Sequence, residues 1–316
     1  MTCHNCEVQT VKSGKYGPKK IQRYLCKQCG RRYSEPQNKP LGDVRLPMEK
    51  VNLILHCLVE GNSVRGTSRL CDVEKRTVLN LLKTAGDHCE RLLEKRLRKV
   101  PVNDLQLDEI WGYVFKKEGH KWIHEADNQK IGDAYTFIAI ERDTKLIVAW
   151  HLGKRTATDT EEFMAKLKEA TVAGMRFQIT TDGFTPYPPA IEEAFGADVD
   201  YAQLVKVYGK PEKGRERYSP GDVINAVPTP VSGNPDKSRI CTSHVERQNG
   251  TLRQWCKRLT RLTYAFSKKW ENLQAALALH FAYYNFCRIH GSLRITPAME
   301  AGITEHVWDL SELIAA

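Results

Sequence analysis

Leu105-Gln-Leu-Asp-Glu-Ile-Trp-Gly-Tyr-Val114 is an apolar and aromatic run broken by an acidic pair, and it reads as a strand carrying Asp108. Upstream of Val102 the apolar residues recur with helical periods; downstream they recur as strands. Tyr135–Ile140 and Leu146–Trp150 are two further strands, joined by an Asp143-Thr-Lys turn. A helix bearing Phe163, Leu167 and Ala170 follows. Phe177-Gln-Ile-Thr-Thr-Asp-Gly183 then reads as a strand closing on an Asp-Gly turn at Asp182, and Val199–Val207 as a fifth strand. Strands, a helix and another strand specify a mixed α/β sheet. Gly209 to Asp236 is rich in proline (Pro211, Pro220, Pro228, Pro230, Pro235) and is expected to be an irregular loop.

After that loop, His244-Val-Glu-Arg-Gln-Asn-Gly-Thr-Leu-Arg253 opens a basic amphipathic helix. Val245, Leu252, Cys256 and Leu259 share an apolar stripe, while Glu246, Asn249 and Arg253 share another face at i, i+3, i+7. Two strand-borne aspartates and a helix-borne glutamate can converge at one sheet edge and hold a divalent metal, because metal-assisted phosphoryl transfer needs hard oxygen ligands on rigid elements. Asp108, Asp182 and Glu246 are therefore the candidate catalytic residues, with Asn249 and Arg253 pointing at a DNA backbone. Glu109 is the alternative for the first ligand. A final helix packs through Leu273, Leu277, Phe281 and Tyr284.

The amino-terminal end carries different chemistry. Cys3-x2-Cys6 and Cys26-x2-Cys29 are paired pairs, and two residues between ligands let one tight turn place both sulfurs on a tetrahedral ion. One structural zinc is expected, supplying folding energy that so short a segment cannot draw from a core. Lys19, Lys20, Arg23, Arg31 and Arg32 decorate this module and suit phosphates. Next, Val51, Ile54, Leu55 and Leu58 mark a helix opened by Pro47. A short helix follows over about Ser63 to Leu70 with Ser63 as its N-cap, and a third has Val78, Leu81, Leu82 and Ala85 on one face. This spacing fits a helix-turn-helix, which puts Lys75, Arg76 and Thr77 nearest bases and Arg65 and Arg69 nearer the backbone. Arg91 to Lys99 reads as a helical connector. The remaining cysteines lack ligand spacing and read as small apolar residues.

The 316 residues carry a net charge of +10, and the basic groups are clustered. Eight Lys/Arg and no acid lie between Val8 and Ser34, and seven and no acid between Arg247 and Lys269. One-sign tracts favour a nucleic-acid partner over a merely soluble surface. No signal peptide and no apolar run of membrane-spanning length is evident, so a cytoplasmic protein without membrane contact is expected, associated with the nucleoid when DNA-bound. Its cysteines should stay reduced.

The order of Cys pairs, three helices, strand-borne Asp, Thr-Asp-Gly and His-Val-Glu-Arg-Gln-Asn-x2-Leu-Arg resembles insertion-sequence transposases with a ribonuclease-H-like (retroviral-integrase-like) DDE core, the insertion element 1 family above all. Tyr284-Asn-Phe-Cys-Arg-Ile-His-Gly-Ser-Leu-Arg-Ile-Thr-Pro297 is similar to the end of many transposase and integrase cores. The resemblance implies a multidomain chain: a zinc ribbon over 1–40, a helix-turn-helix and connector over 45–100, a catalytic domain over 101–300 with an insertion at 207–240, and a tail over 301–316. It further implies Asp108, Asp182 and Glu246 as the triad, two Mg²⁺ (or Mn²⁺) per site, and cleavage and strand transfer at terminal inverted repeats. Partners would be double-stranded DNA of element ends and target, and further copies of the chain. The rivals are a catalytically silent DNA-binding regulator and a nuclease of the same fold that does not join strands.

Overall fold

The computed structural model describes residues 1–3, 5–18, 20–35, 41, 44, 46–209 and 222–316. Lys19, Pro211 and Pro220 lie outside them. The chain divides into two compact units, Met1–Asp43 and Val44–Ala316.

In the smaller unit, β1 (Val11–Tyr16), β2 (Ile21–Leu25) and β3 (Arg32–Ser34) form an antiparallel sheet in that order. Among its described residues only Cys3, Cys26 and Leu41 are buried apolar groups. That is too little apolar burial to hold a chain of this length by packing alone.

The larger unit begins with α1 (Met48–Val59), α2 (Val64–Leu70) and α3 (Lys75–Arg96). Ser63 caps α2, its hydroxyl accepting from the Gly66 N–H at 3.0 Å. The expected connector is not separate from the third helix: α3 runs unbroken through Arg91 because Cys89, Leu92 and Leu93 continue its buried stripe. Then come β4 (Asp104–Val114), β5 (Gly132–Glu141), β6 (Ile147–Gly153), α4 (Ala157–Ala170), β7 (Phe177–Thr181), α5 (Tyr187–Phe195), β8 (Val199–Tyr208) and β9 (Val223–Ser232). The chain ends with α6 (Ser243–Trp255), α7 (Trp270–Phe286) and the short α8 (Pro297–Glu300) and α9 (Leu310–Leu313).

One mixed sheet has the order β6-β5-β4-β7-β8-β9. The β4–β7 and β7–β8 pairs are parallel and the others antiparallel. For Val223–Ser232, β9 corrects the expectation of an irregular loop over Gly209 to Asp236; residues 210–221 of that span lie outside the described residues. Its Pro228 and Pro230 stand opposite Leu204 and Ala202 of β8, and β9 is the edge strand, where a residue lacking an N–H is tolerated. The helix α5, with prolines in its first turn, was also not anticipated from sequence.

α7 is buried on every side, including His280 and Asn285. It packs along α3 at close range: a Cβ on Gly86 would come 2.4 Å from the Ala275 Cα, so this crossing requires glycine. Asn285 grips β6, donating to the Ile147 carbonyl at 2.9 Å and accepting from the Ile147 N–H at 3.0 Å. The expected tail over 301–316 packs onto α7. Trp308 stacks on Phe286 with centroids 4.6 Å apart, and Leu310, Leu313 and Ile314 are buried. The expected boundaries at 100/101 and 300/301 therefore fall inside one packed unit.

Candidate active site and metal centres

β4 and β7 run parallel in the middle of the sheet, with Gln106 paired to Thr180; two residues further on, where β7 ends, the strands bring Asp108 and Asp182 together. Side chains alternate along β4. Gln106, Asp108 and Gly112 face α6 and the turn after it, whereas Glu109 faces α5. Oxygens of Asp108, Glu109 and Asp182 nevertheless all lie within 4.8 Å of one another, because Asp182 sits just past the end of its strand.

Each carboxylate is held. Asp108 accepts from its neighbour's N–H (Glu109, 2.9 Å) and from Asn249 Nδ2 at 2.7 Å. Glu109 accepts from Arg155 Nε at 2.7 Å and from the Tyr187 hydroxyl at 3.1 Å. Asp182 closes a turn by accepting from the Phe184 N–H at 2.9 Å. Burial, and then the charges of Glu109, Asp182 and Glu246, push Asp108 up to about 7. Burial and the Asp182 charge raise Glu109 to about 6, against the pull of Arg155. Crowded carboxylates that resist ionising together form a site for a cation.

Glu246 is not a member of that close group. It lies in the first turn of α6, its carboxylate held by Lys206 Nζ of β8 and by the Thr242 hydroxyl. Its charge still reaches Asp108. Of the two residues expected to point at a DNA backbone, Asn249 is instead bonded to Asp108. Arg253 is also committed internally, donating to the carbonyls of Leu259 at 3.1 Å and Trp111 at 3.2 Å. Its half-buried guanidinium anchors α6 to β4, which departs from the expected role.

A residue that sequence reasoning passed over places this helix. Gln106 is fully buried, and its Oε1 accepts from the His244 and Val245 N–H groups at 2.9 and 3.2 Å. No side chain within α6 caps it, so the strand supplies the cap. Its one sequence signal is an amide within an otherwise apolar run. Arg155 and Tyr187 were missed too, being remote in sequence from the acids they touch.

In the smaller unit, the Cys3, Cys6, Cys26 and Cys29 sulfurs lie within 4.8 Å of one another. Two equivalent turns bring them there. Cys3 N–H bonds to the Val8 carbonyl and Glu7 N–H to the Cys3 carbonyl; Cys26 N–H bonds to the Arg31 carbonyl and Gly30 N–H to the Cys26 carbonyl. Glu7 and Gly30 take the same left-handed backbone, φ 54° and 70°. The Tyr33 hydroxyl lies 3.0 Å from Cys3 Sγ, and this contact lowers the Cys3 thiol to about 6. Four thiols at this spacing suit one soft tetrahedral ion. Lys20, Arg31 and Arg32 are exposed on this unit, and Arg23 stacks over Tyr16 at 3.9 Å. In the larger unit Arg65, Arg69, Lys75 and Arg76 are exposed and Thr77 half-buried, the last three opening α3.

No family model and no curated protein matches the chain. Among solved structures it aligns with the piggyBac transposase synaptic complex with hairpin DNA at 12% identity, over 69% of this chain and 51% of that one, with a TM-score of 0.29. The Mos1 strand transfer complex aligns at 14% identity over 54% of this chain and 59% of that one, TM-score 0.22. The chain spans about half the length of the first. Among the described residues, no helix is long and apolar enough to cross a membrane.

Proposed function

We propose that this chain is a DDE-type transposase that binds double-stranded DNA, cleaves it at element ends and joins the ends to target DNA. The observation that carries the reading is the carboxylate group where β4 passes the end of β7: oxygens of Asp108, Glu109 and Asp182 lie within 4.8 Å of one another, and burial and then the neighbouring charges raise Asp108 to about 7. Hard oxygen donors suit Mg²⁺ or Mn²⁺ rather than a softer ion. Asp108, Asp182 and Glu246 would hold it, and such ions activate an attacking oxygen and stabilise a leaving one in an in-line displacement.

The chain's own residues prepare that site. Asn249 orients the Asp108 carboxylate, and Gln106 fixes the helix that carries Asn249 and Glu246. Glu109 lies in the same acidic group, with its oxygens accepting from Arg155 and Tyr187, and we assign it to positioning these groups and the third ligand position to Glu246. Lys206 pairs with Glu246 and would balance the helix carboxylate's charge when no cation is bound. The four thiols of the smaller unit suit zinc. The exposed cations there and at the start of α3 suit terminal-repeat recognition by a zinc ribbon and a helix-turn-helix. Pairing two ends calls for more than one copy of the chain.

The test uses labelled duplexes from repeats flanking the gene, with Mg²⁺. Asp108→Asn, Asp182→Asn and Glu246→Gln should each bind DNA as the parent does yet neither nick nor join it, because one site serves both steps. Glu109→Gln should keep measurable cleavage. A parent protein that binds ends without cutting them would be a regulator, and one that cuts but cannot join a precleaved end would be a nuclease. Loss of cleavage in Glu109→Gln with retention in Glu246→Gln would hand the third position to Glu109.

A further inference from the structure

α6 presents a second polar face. His244, Arg247, Gln248 and Thr251 recur at i, i+3, i+4, i+7, turned away from the Asn249–Asp108 contact, and they line a cavity of about 730 Å³. The opposite wall is the segment after α7, with Arg288 and His290, and Lys145 adds a further cation. Among the described residues no acid lines this cavity. Asp143 and Glu141 act on Lys145 from outside the cavity, but two arginines on separate walls with no acid in the lining are unusual for a surface that only needs solubility.

The individual groups are prepared for an anion. The Arg288 guanidinium lies over the Trp255 ring at 3.9 Å, which fixes its plane and leaves its N–H edge available. Among the described residues neither Arg247 nor Arg288 has an ion pair or side-chain hydrogen bond. Gln248 is only 3% exposed, and its Nε2 has no hydrogen-bond partner. A buried amide donor left unmade is costly, and a ligand oxygen would satisfy it. Burial and the charges of Lys145 and Arg247 hold His290 below the usual imidazole range. The same crowding that opposes another positive charge favours a negative ligand.

We infer that this cavity binds a backbone phosphate of a DNA strand, clamped from α6 by Arg247 and Gln248 and from the segment after α7 by Arg288 and His290. The anion site stands on its own geometry; DNA as its source rests on the function proposed above. Two features favour a strand over a free ion. The cavity is far larger than one phosphate, and it shares a helix with Glu246, so a strand gripped on one face is held in register with the acids on the other. This also gives a role to the Arg288-Ile-His-Gly-Ser292 motif, which the carboxylate site leaves unused.

Binding of the full chain to a fluorescent duplex of arbitrary sequence, followed by anisotropy over a salt series without divalent ions, tests the inference. Arg247→Gln with Arg288→Gln should weaken binding about tenfold near ~0.1 M salt and reduce the slope of log K against log salt by roughly one. Lys95→Gln with Lys168→Gln, two exposed lysines elsewhere, supplies the charge-matched control and should change both far less. Gln248→Leu removes a donor without changing charge or adding volume. It should weaken binding several-fold at unchanged slope, and it reports on the cavity even if the arginine pair disturbs folding. An arginine variant indistinguishable from the control, together with a Gln248→Leu protein that binds like the parent, overturns the proposal. Inorganic phosphate that shifts the His290 ring signals in NMR while duplex binding ignores all three substitutions would make this a free-anion site and overturn the DNA assignment. These readouts involve no cleavage, so a chain that never cuts DNA but loses binding in the cavity variants would refute the transposase reading and keep this one.

Discussion

The four thiols near the amino terminus and the three carboxylates where β4 passes the end of β7 are both gathered to within 4.8 Å, yet they are gathered by different physics. Each thiol pair is delivered by its own tight turn, and the two turns repeat the same hydrogen bonds and the same left-handed residue. Almost nothing beyond a few consecutive residues is needed. The carboxylates come from strands paired over a long stretch of chain, and which oxygens meet depends on strand register, on side-chain parity, and on where β7 stops. The dependence on metal should differ accordingly. Among its described residues the smaller unit has almost no buried apolar group of its own, whereas the carboxylates sit on a sheet with a large apolar core.

The largest effect expected from that contrast is metal removal. Chelation, or Cys26→Ser with Cys29→Ser, should unfold the unit Met1–Asp43, removing on the order of 10 kcal/mol of metal-binding free energy. Its amide signals in NMR should collapse to unfolded positions while those of the larger unit stay. Dispersed signals surviving in the smaller unit without metal would end the contrast.

A smaller effect of opposite sign is expected at the carboxylates. Asp108 is raised from 3.8 to about 7 and Glu109 from 4.5 to about 6. A folded-state pKa raised above the unfolded one contributes stability that is complete below the unfolded value and lost as pH rises through the folded value. Metal-free protein should therefore lose roughly 1–3 kcal/mol from this site between about pH 4 and pH 7. Asp108→Asn should flatten that slope and stabilise the metal-free protein at pH 8, and added Mg²⁺ should stabilise only the parent. Denaturant titrations at both pH values measure it; an Asp108→Asn protein less stable than the parent at pH 8 would refute it.

The smallest effect concerns the link between strand and helix. Gln106→Leu fits the apolar surroundings but strips the two N–H groups at the start of α6 of their acceptor, and should cost about 1–2 kcal/mol. DNA binding should persist while cleavage falls, since the substitution loosens the helix that carries Asn249 and Glu246. Unchanged cleavage would mean that α6 is placed by its apolar stripe alone.

Part of this molecule is written in short-range patterns. The strand Leu105–Val114, the Ser63 cap and the cysteine pairs follow from residue type and spacing, because alternation, capping and ligand turns act over a few positions. Asp108 and Asp182 were legible for the same reason, each being an acid at the end or centre of an apolar run. Glu109 is the alternative to Asp108 for the first ligand, and the structure puts both in the acidic group; Glu246 stands beside Lys206.

Other features were decided only in three dimensions. The prolines of β9 signal a loop when read locally, and only the position of that strand at the sheet edge makes them compatible with pairing. Arg253 has the spacing of a residue that faces a ligand, yet the carbonyls of Leu259 and Trp111 claim it. The partners of the acids, Gln106, Asn249, Arg155 and Tyr187, are scattered along the chain, and no local period links them. Sequence by itself determined which segments are strand or helix and which side chains can bear charge or metal, because those properties are local. Tertiary structure alone decided which of these groups meet, because a carboxylate's partners and pKa depend on burial and on charges brought near by strand register and helix packing.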